Sequence, residues 1–148
     1  MFVLDASVTL CWFLPCSTEQ AEYAAAVFDA LSRDADSLAV VPDLWHSEVA
    51  HVLLRAYRSR ELKSAALDRA TGVLAELANK RLVTVRSQAD ATQLLALSRE
   101  YHLQVYDTVY FHLAKQRSLP MATVDDGLKA AAHRHNVSLL KTHVSLKN

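Results

Sequence analysis

Phe2-Val3-Leu4-Asp5-Ala6-Ser7 is a short apolar run, β-branched at Val3, that stops at an aspartate. That is the pattern of a buried strand whose C-terminal tip carries one carboxylate. In open α/β sheets the working crevice lies beyond those tips. Asp5 is therefore the residue to follow, and the rest of the chain is read for carboxylates that come to meet it.

The 148 residues fit one domain, 1–148, at roughly 100–200 residues per domain. Hydrophobic residues make up 51%, which marks a globular chain. Lys plus Arg (16) balance Asp plus Glu (16), so no global basic field announces nucleic acid. A local basic patch beside an acidic site is still compatible with that balance. Asp5 and Pro15 interrupt what a secretory leader would need. No apolar run approaches the ~20 residues of a membrane span. The expectation is a cytoplasmic protein with no membrane contact. Cys11 and Cys16 match neither CxxC nor a zinc spacing and are read as reduced structural thiols. With only two glycines, the chain has no Gly-rich phosphate loop, which removes most support for a nucleotide cofactor.

Apolar runs at 2–4, 38–41, 82–85, 121–124 and 138–140 predict five strands. The run 8–14 predicts a short helical turn. Ser17 opens a helix with Gln20 as its capping-box partner. Helices follow from Pro42 to about Tyr57, over 64–78 with Asn79 as a C-terminal cap, and from a Ser87/Asp90 capping box to about Tyr101. Two more cover 107–116 and 126–135. Strands alternating with helices mean βαβ units, and so a parallel sheet.

Four carboxylates belong to one edge of such a sheet. Asp5 ends the first strand and Asp125 follows the fourth. Glu48 and Asp107 sit in the first turns of helices. Each has a bland alternative. Asp107 could cap its helix and Asp125 or Asp126 the last one, Glu48 could answer a helix dipole, and Asp5 could be a turn residue. Together they point to a site. Like charges about 4 Å apart repel by roughly 4 kcal/mol at an effective dielectric near 20. Such a cluster must take up protons or a cation. All-oxygen ligands favour Mg²⁺ or Mn²⁺ over zinc. A metal so held lowers the pKa of bound water and neutralises charge on a phosphodiester. The chemistry expected is metal-assisted phosphodiester hydrolysis. Arg55, Arg58, Arg60 and Lys63 form a basic run, either a solvated face or a contact for a nucleic-acid backbone. The seven histidines, without an HExxH spacing, are read as surface or cap residues.

At these residues the chain resembles a PIN domain, and most closely a VapC-type toxin of bacterial toxin–antitoxin pairs. The resemblance rests on Val3-Leu4-Asp5-Ala6-Ser7, Pro42-x-Leu44-x-x-x-Glu48, Tyr106-Asp107-x-x-Tyr110 and Thr123-x-Asp125-x-x-Leu128. It spans nearly the whole chain. It implies a three-layer α/β/α sandwich around a mainly parallel five-stranded sheet, and a Mg²⁺- or Mn²⁺-dependent endoribonuclease. The metal-binding and catalytic acids would be Asp5, Glu48, Asp107 and Asp125, with Ser7 a polar helper and Thr123 behind them. Arg55 and Arg58 are the candidate RNA contacts. Asp126 competes with Asp125 for the fourth position, and the T-x-D spacing favours Asp125. The resemblance further implies a homodimer and a cognate antitoxin that occupies the acidic groove.

Two other sheet enzymes fit poorly. A receiver domain wants an aspartate after the third strand, where Arg86 stands. A haloacid-dehalogenase-type phosphatase wants Asp-x-Asp at the first strand, where Ser7 takes the second position. The alternative to a nuclease is an inert PIN-like module that binds RNA or protein. Trp12, Phe13 and Trp45 are either core or part of a partner surface.

Overall fold

The computed structural model describes residues 1–34 and 36–142. Four strands, β1 (Phe2–Leu4), β2 (Ala39–Pro42), β3 (Leu82–Val85) and β4 (Met121–Ala122), pair in the order β3-β2-β1-β4. Every pairing is parallel. β1, β2 and β4 are buried along their whole length, as continuous apolar strands covered on both faces should be. β3, at the edge, is only partly covered.

Seven helices connect the strands among the described residues: α1 (Ala6–Leu10), α2 (Thr18–Arg33), α3 (Leu44–Arg58), α4 (Ser64–Lys80), α5 (Ala91–Tyr101), α6 (Val105–Arg117) and α7 (Asp126–Arg134). The chain steps outward from β1 to β3, then returns across β1 to β4. With right-handed crossovers, α1 to α4 lie on one face of the sheet and α5 to α7 on the other. That reversal puts the topological switch point between β1 and β4, where the crevice of an open α/β sheet forms. α6 buries Thr108, Val109, Tyr110, Phe111, Leu113 and Ala114. It is buried on more than one side because it packs on β1 and β2 as well as on α5 and α7. Trp45 belongs to the core, while Trp12 and Phe13 pack partly buried against it. Cys11 and Cys16 are free thiols.

The expected fifth strand is absent as a strand among the described residues. Leu139 makes one parallel bridge to Met121, held by Met121 N–H to Ser138 O and Leu140 N–H to Met121 O, both 2.8 Å. The ladder stops there because β4 stops. Beyond Ala122 the backbone turns to side chains: Val124 N–H donates to Ser7 Oγ and Asp125 N–H to Thr123 Oγ1. The sheet is therefore four-stranded, not five-stranded. The capping box before α5 also differs. Asp90 caps and Gln93 returns the bond, because Asp90, not Ser87, stands three residues ahead of a Gln or Glu. Asn79 lies inside α4, which ends at Lys80 with Arg81 as its C-cap. The Ser17/Gln20 capping box forms as expected.

Candidate active site

Asp5 leaves β1 and immediately precedes α1, with 4% of its surface exposed. Its Oδ2 receives two hydroxyl donors. One is Ser7 Oγ, and the other is Thr123 Oγ1 at 2.7 Å. Each hydroxyl has one proton and spends it on Asp5, so its lone pairs are free to accept. Ser7 Oγ accepts Val124 N–H at 3.2 Å and Thr123 Oγ1 accepts Asp125 N–H at 3.0 Å. The tip of β1 is thus tied to the segment that leaves β4. Asp5 Oδ1 has no hydrogen-bond partner among the described residues. Burial pushes the Asp5 carboxyl up to about 6, Ser7 and Thr123 pull against that, and the charges of Glu48 and Asp107 add to the rise.

Glu48 lies in the second turn of α3, half-buried. The Tyr110 hydroxyl donates to its Oε2 at 2.6 Å. Tyr110 is fully buried. Burial, and then the acceptor Glu48 itself, push the phenol far above its ordinary range, so it stays protonated and stays a donor. Asp107 is the third residue of α6. It makes no hydrogen bond among the described residues, so it does not cap its helix. Its carboxyl is pushed up to about 6 by burial, by Asp125 and by Glu48. Asp107 is therefore the hub of the group, sharing charge with Asp5, Glu48 and Asp125.

Asp125 caps α7, its Oδ1 accepting Leu128 N–H at 2.8 Å. Here the bland role and the placement beside Asp107 coincide. A Cβ on Gly127 would come within 3.0 Å of that same Oδ1. The glycine leaves the carboxylate its room. Asp126 points away: its side chain is 96% exposed and pairs with Lys129. Of the two neighbouring aspartates, Asp125 is the one whose charge reaches Asp107. Arg55 and Arg58 lie exposed toward the end of α3. They are two to three turns from Glu48, about 10–15 Å along the helix.

Among the described residues no three His, Cys, Asp or Glu side chains stand close enough to hold a metal by themselves. The donor set is nonetheless all carboxylate, open, and short of countercharge. That fits a hard cation such as Mg²⁺, which keeps several waters and takes the rest of its oxygens from a substrate phosphate. One or two of Asp5, Glu48, Asp107 and Asp125 would be its protein side, with waters completing the rest.

The part of the site that sequence reasoning missed is Tyr110 as the support of Glu48. A signal existed: Asp107 and Tyr110 are three residues apart, hence on one face of a helix.

The family model for the PIN domain matches residues 2–134. The chain belongs to the PIN-domain family. Members of this family are commonly nucleases. A solved structure, PAE2754 from Pyrobaculum aerophilum, superposes with a TM-score of 0.63 at 16% identity, covering 88% of this chain and 83% of that one. At that identity the likeness speaks for the fold of this PIN domain. No curated protein sequence matches it. Among the described residues of the PIN domain, no helix is long and apolar enough to cross a membrane.

Proposed function

We propose that this PIN domain is a Mg²⁺- or Mn²⁺-dependent endoribonuclease. In this reading it is the toxin of a toxin–antitoxin pair, acting in the cytoplasm as a homodimer and restrained by an antitoxin laid over the acids. The observation that carries the nuclease is Asp107, a carboxyl without a hydrogen bond, surrounded by the charges of Asp5, Glu48 and Asp125. Such a group is poised for a cation and a phosphate. When bound, the cation supplies an activated water and neutralises charge on the phosphodiester.

The chain's own residues do the positioning. Ser7 and Thr123 hold Asp5 by Oδ2 and leave Oδ1 facing the site. Tyr110 fixes Glu48. Asp125 is held by the first turn of α7. Arg55 and Arg58 supply positive charge for the RNA backbone on the helix that carries Glu48. Exposed Leu95 and Tyr106, each 60% exposed, offer apolar area for a second copy or an antitoxin.

The test is incubation of the purified protein with total bacterial RNA in Mg²⁺, Mn²⁺ or EDTA, beside Asp5→Asn. Discrete, metal-dependent cleavage lost in the variant is the expected result. Absence of cleavage in every metal, from protein free of bound partners, overturns it. The second reading is an inert RNA- or protein-binding module, favoured by the lack of a ready-made three-ligand group among the described residues. Calorimetric Mn²⁺ titration separates the two, because the inert module takes up no metal. Growth arrest on induction, abolished by Asp5→Asn, tests the toxin role.

A further inference from the structure

A concavity lies near the acids. It is a cleft of about 620 Å³ between the ends of β2 and β3, the β3–α5 loop, and the facing sides of α5 and α6. That is within the range of small-ligand sites, roughly 300–1,000 Å³. It is separate from the acid cluster. On α6, Val109, Leu113 and Gln116 follow helical spacing along the face that lines the cleft, while Asp107 and Tyr110 project from another side.

Its chemistry is the opposite of its neighbour's. Among the described residues no carboxylate lines it, although the chain holds 16 acids. The charged side chains that line it are Arg86 and Arg117. Neither guanidinium has an ion-pair or hydrogen-bond partner among the described residues. Unpaired guanidiniums are planar donors suited to phosphate oxygens and to stacking on a base. Gln88, Gln93 and Gln116 add side-chain amides, each able to donate and to accept, as the edges of nucleobases require. Leu94, Leu97 and Leu113 supply an apolar surface for a ring face.

Place along the sheet matters as much. Read in strand order, the carboxyl edge presents Arg86 after β3, Glu48 after β2, Asp5 after β1 and Asp125 after β4. β3 is two strand spacings from β1, about 10 Å. A short single strand laid along this edge reaches from the acids to the cleft.

We propose that this cleft is a nucleotide subsite. It takes one unpaired nucleotide of the RNA, with Arg86 and Arg117 on its phosphate, the leucines under its base and the glutamines on the base edge. This rests on the RNA-cleaving reading above and adds to it a place where base identity is read. Recognition of unpaired bases is the usual route to RNA specificity.

The experiment uses the intact protein in EDTA, so that cleavage plays no part. The four 5′-mononucleotides and ribose 5-phosphate are titrated while backbone amide resonances are followed. The expected result is shifts confined to residues 86–97 and 109–117, with one nucleotide favoured and ribose 5-phosphate bound at least about fivefold more weakly. Arg86→Gln with Arg117→Gln, both on the surface, should weaken binding about tenfold or more. Gln116→Ala should narrow the preference between bases, and Asp126→Asn, exposed and outside the cleft, should leave binding unchanged. Nucleotides that bind no better than ribose 5-phosphate, or that bind equally to the double arginine variant, overturn the proposal. If RNA is not cleaved but mononucleotides still bind in the cleft, the nuclease reading fails and the subsite stands. If RNA is cleaved and the cleft stays empty, the subsite fails alone.

Discussion

The Tyr110 hydroxyl reaches Glu48 Oε2 at 2.6 Å, joining α6 to α3 across the acidic edge. A hydrogen bond to a charged group contributes about 1.5–3 kcal/mol. Tyr110→Phe keeps the buried ring and removes the bond. Glu48 then loses its fixed position. The expected outcome is a fall in RNA cleavage of about tenfold or more, with a folded protein by circular dichroism. Full activity in Tyr110→Phe would mean that Glu48 needs no such support.

Asp5 and Asp107 have folded-state values near 6, above those of free aspartates. A raised carboxyl means that the folded protein holds more protons than the unfolded chain between about pH 4 and 6. Stability from these groups is therefore highest at low pH and falls as pH rises through that window. For Asp5, almost wholly buried, the loss is on the order of 3 kcal/mol. Asp5→Asn should raise the melting temperature at pH 7.5 and change it little at pH 4. Mg²⁺ or Mn²⁺ should stabilise the wild type at pH 7.5 but not at pH 4, where the acids are protonated. Equal effects of Asp5→Asn at both pH values would contradict the assignment.

Asp125 and Asp126 make an internal control. Asp125 caps α7 and faces Asp107, whereas Asp126 is exposed and paired with Lys129. Asp125→Asn keeps an acceptable cap and should lose most cleavage. Asp126→Asn should retain nearly all of it. The reverse result would move the fourth acid to Asp126.

Arg55 and Arg58 stand exposed near the end of α3. Changing both to alanine should weaken RNA binding and flatten its dependence on salt, because each phosphate contact releases counterions. Binding measured between low and moderate salt decides this. An unchanged slope would remove them from the contact surface.

The sequence carried four of the strands and the position of Asp5 at a strand tip because both are local signals. Phe2-Val3-Leu4 is an apolar run, and Asp5 follows it directly. Ser17 and Gln20 sit at capping-box spacing. What it did not carry is non-local. The 138–140 run has strand-like residues, but its pairing depends on where β4 stops, and β4 stops because Val124 N–H is used by Ser7 more than a hundred residues away in sequence. Tyr110 shows the same limit. Its spacing from Asp107 fixes a face, yet only the packing of α6 on β1 and β2 brings it to Glu48 at the sheet edge. The cleft beside β3 is assembled from separate segments, none of which carries a motif.

The bond from Val124 N–H to Ser7 Oγ has one more consequence. Ser7 in turn donates to Asp5. When Asp5 gains or loses its proton, the polarity of the Ser7 hydroxyl changes, and the Val124 amide proton senses it. One backbone resonance at the end of β4 is thus a built-in reporter of the charge state of the buried carboxylate, readable in solution without substrate, metal or label on the site itself.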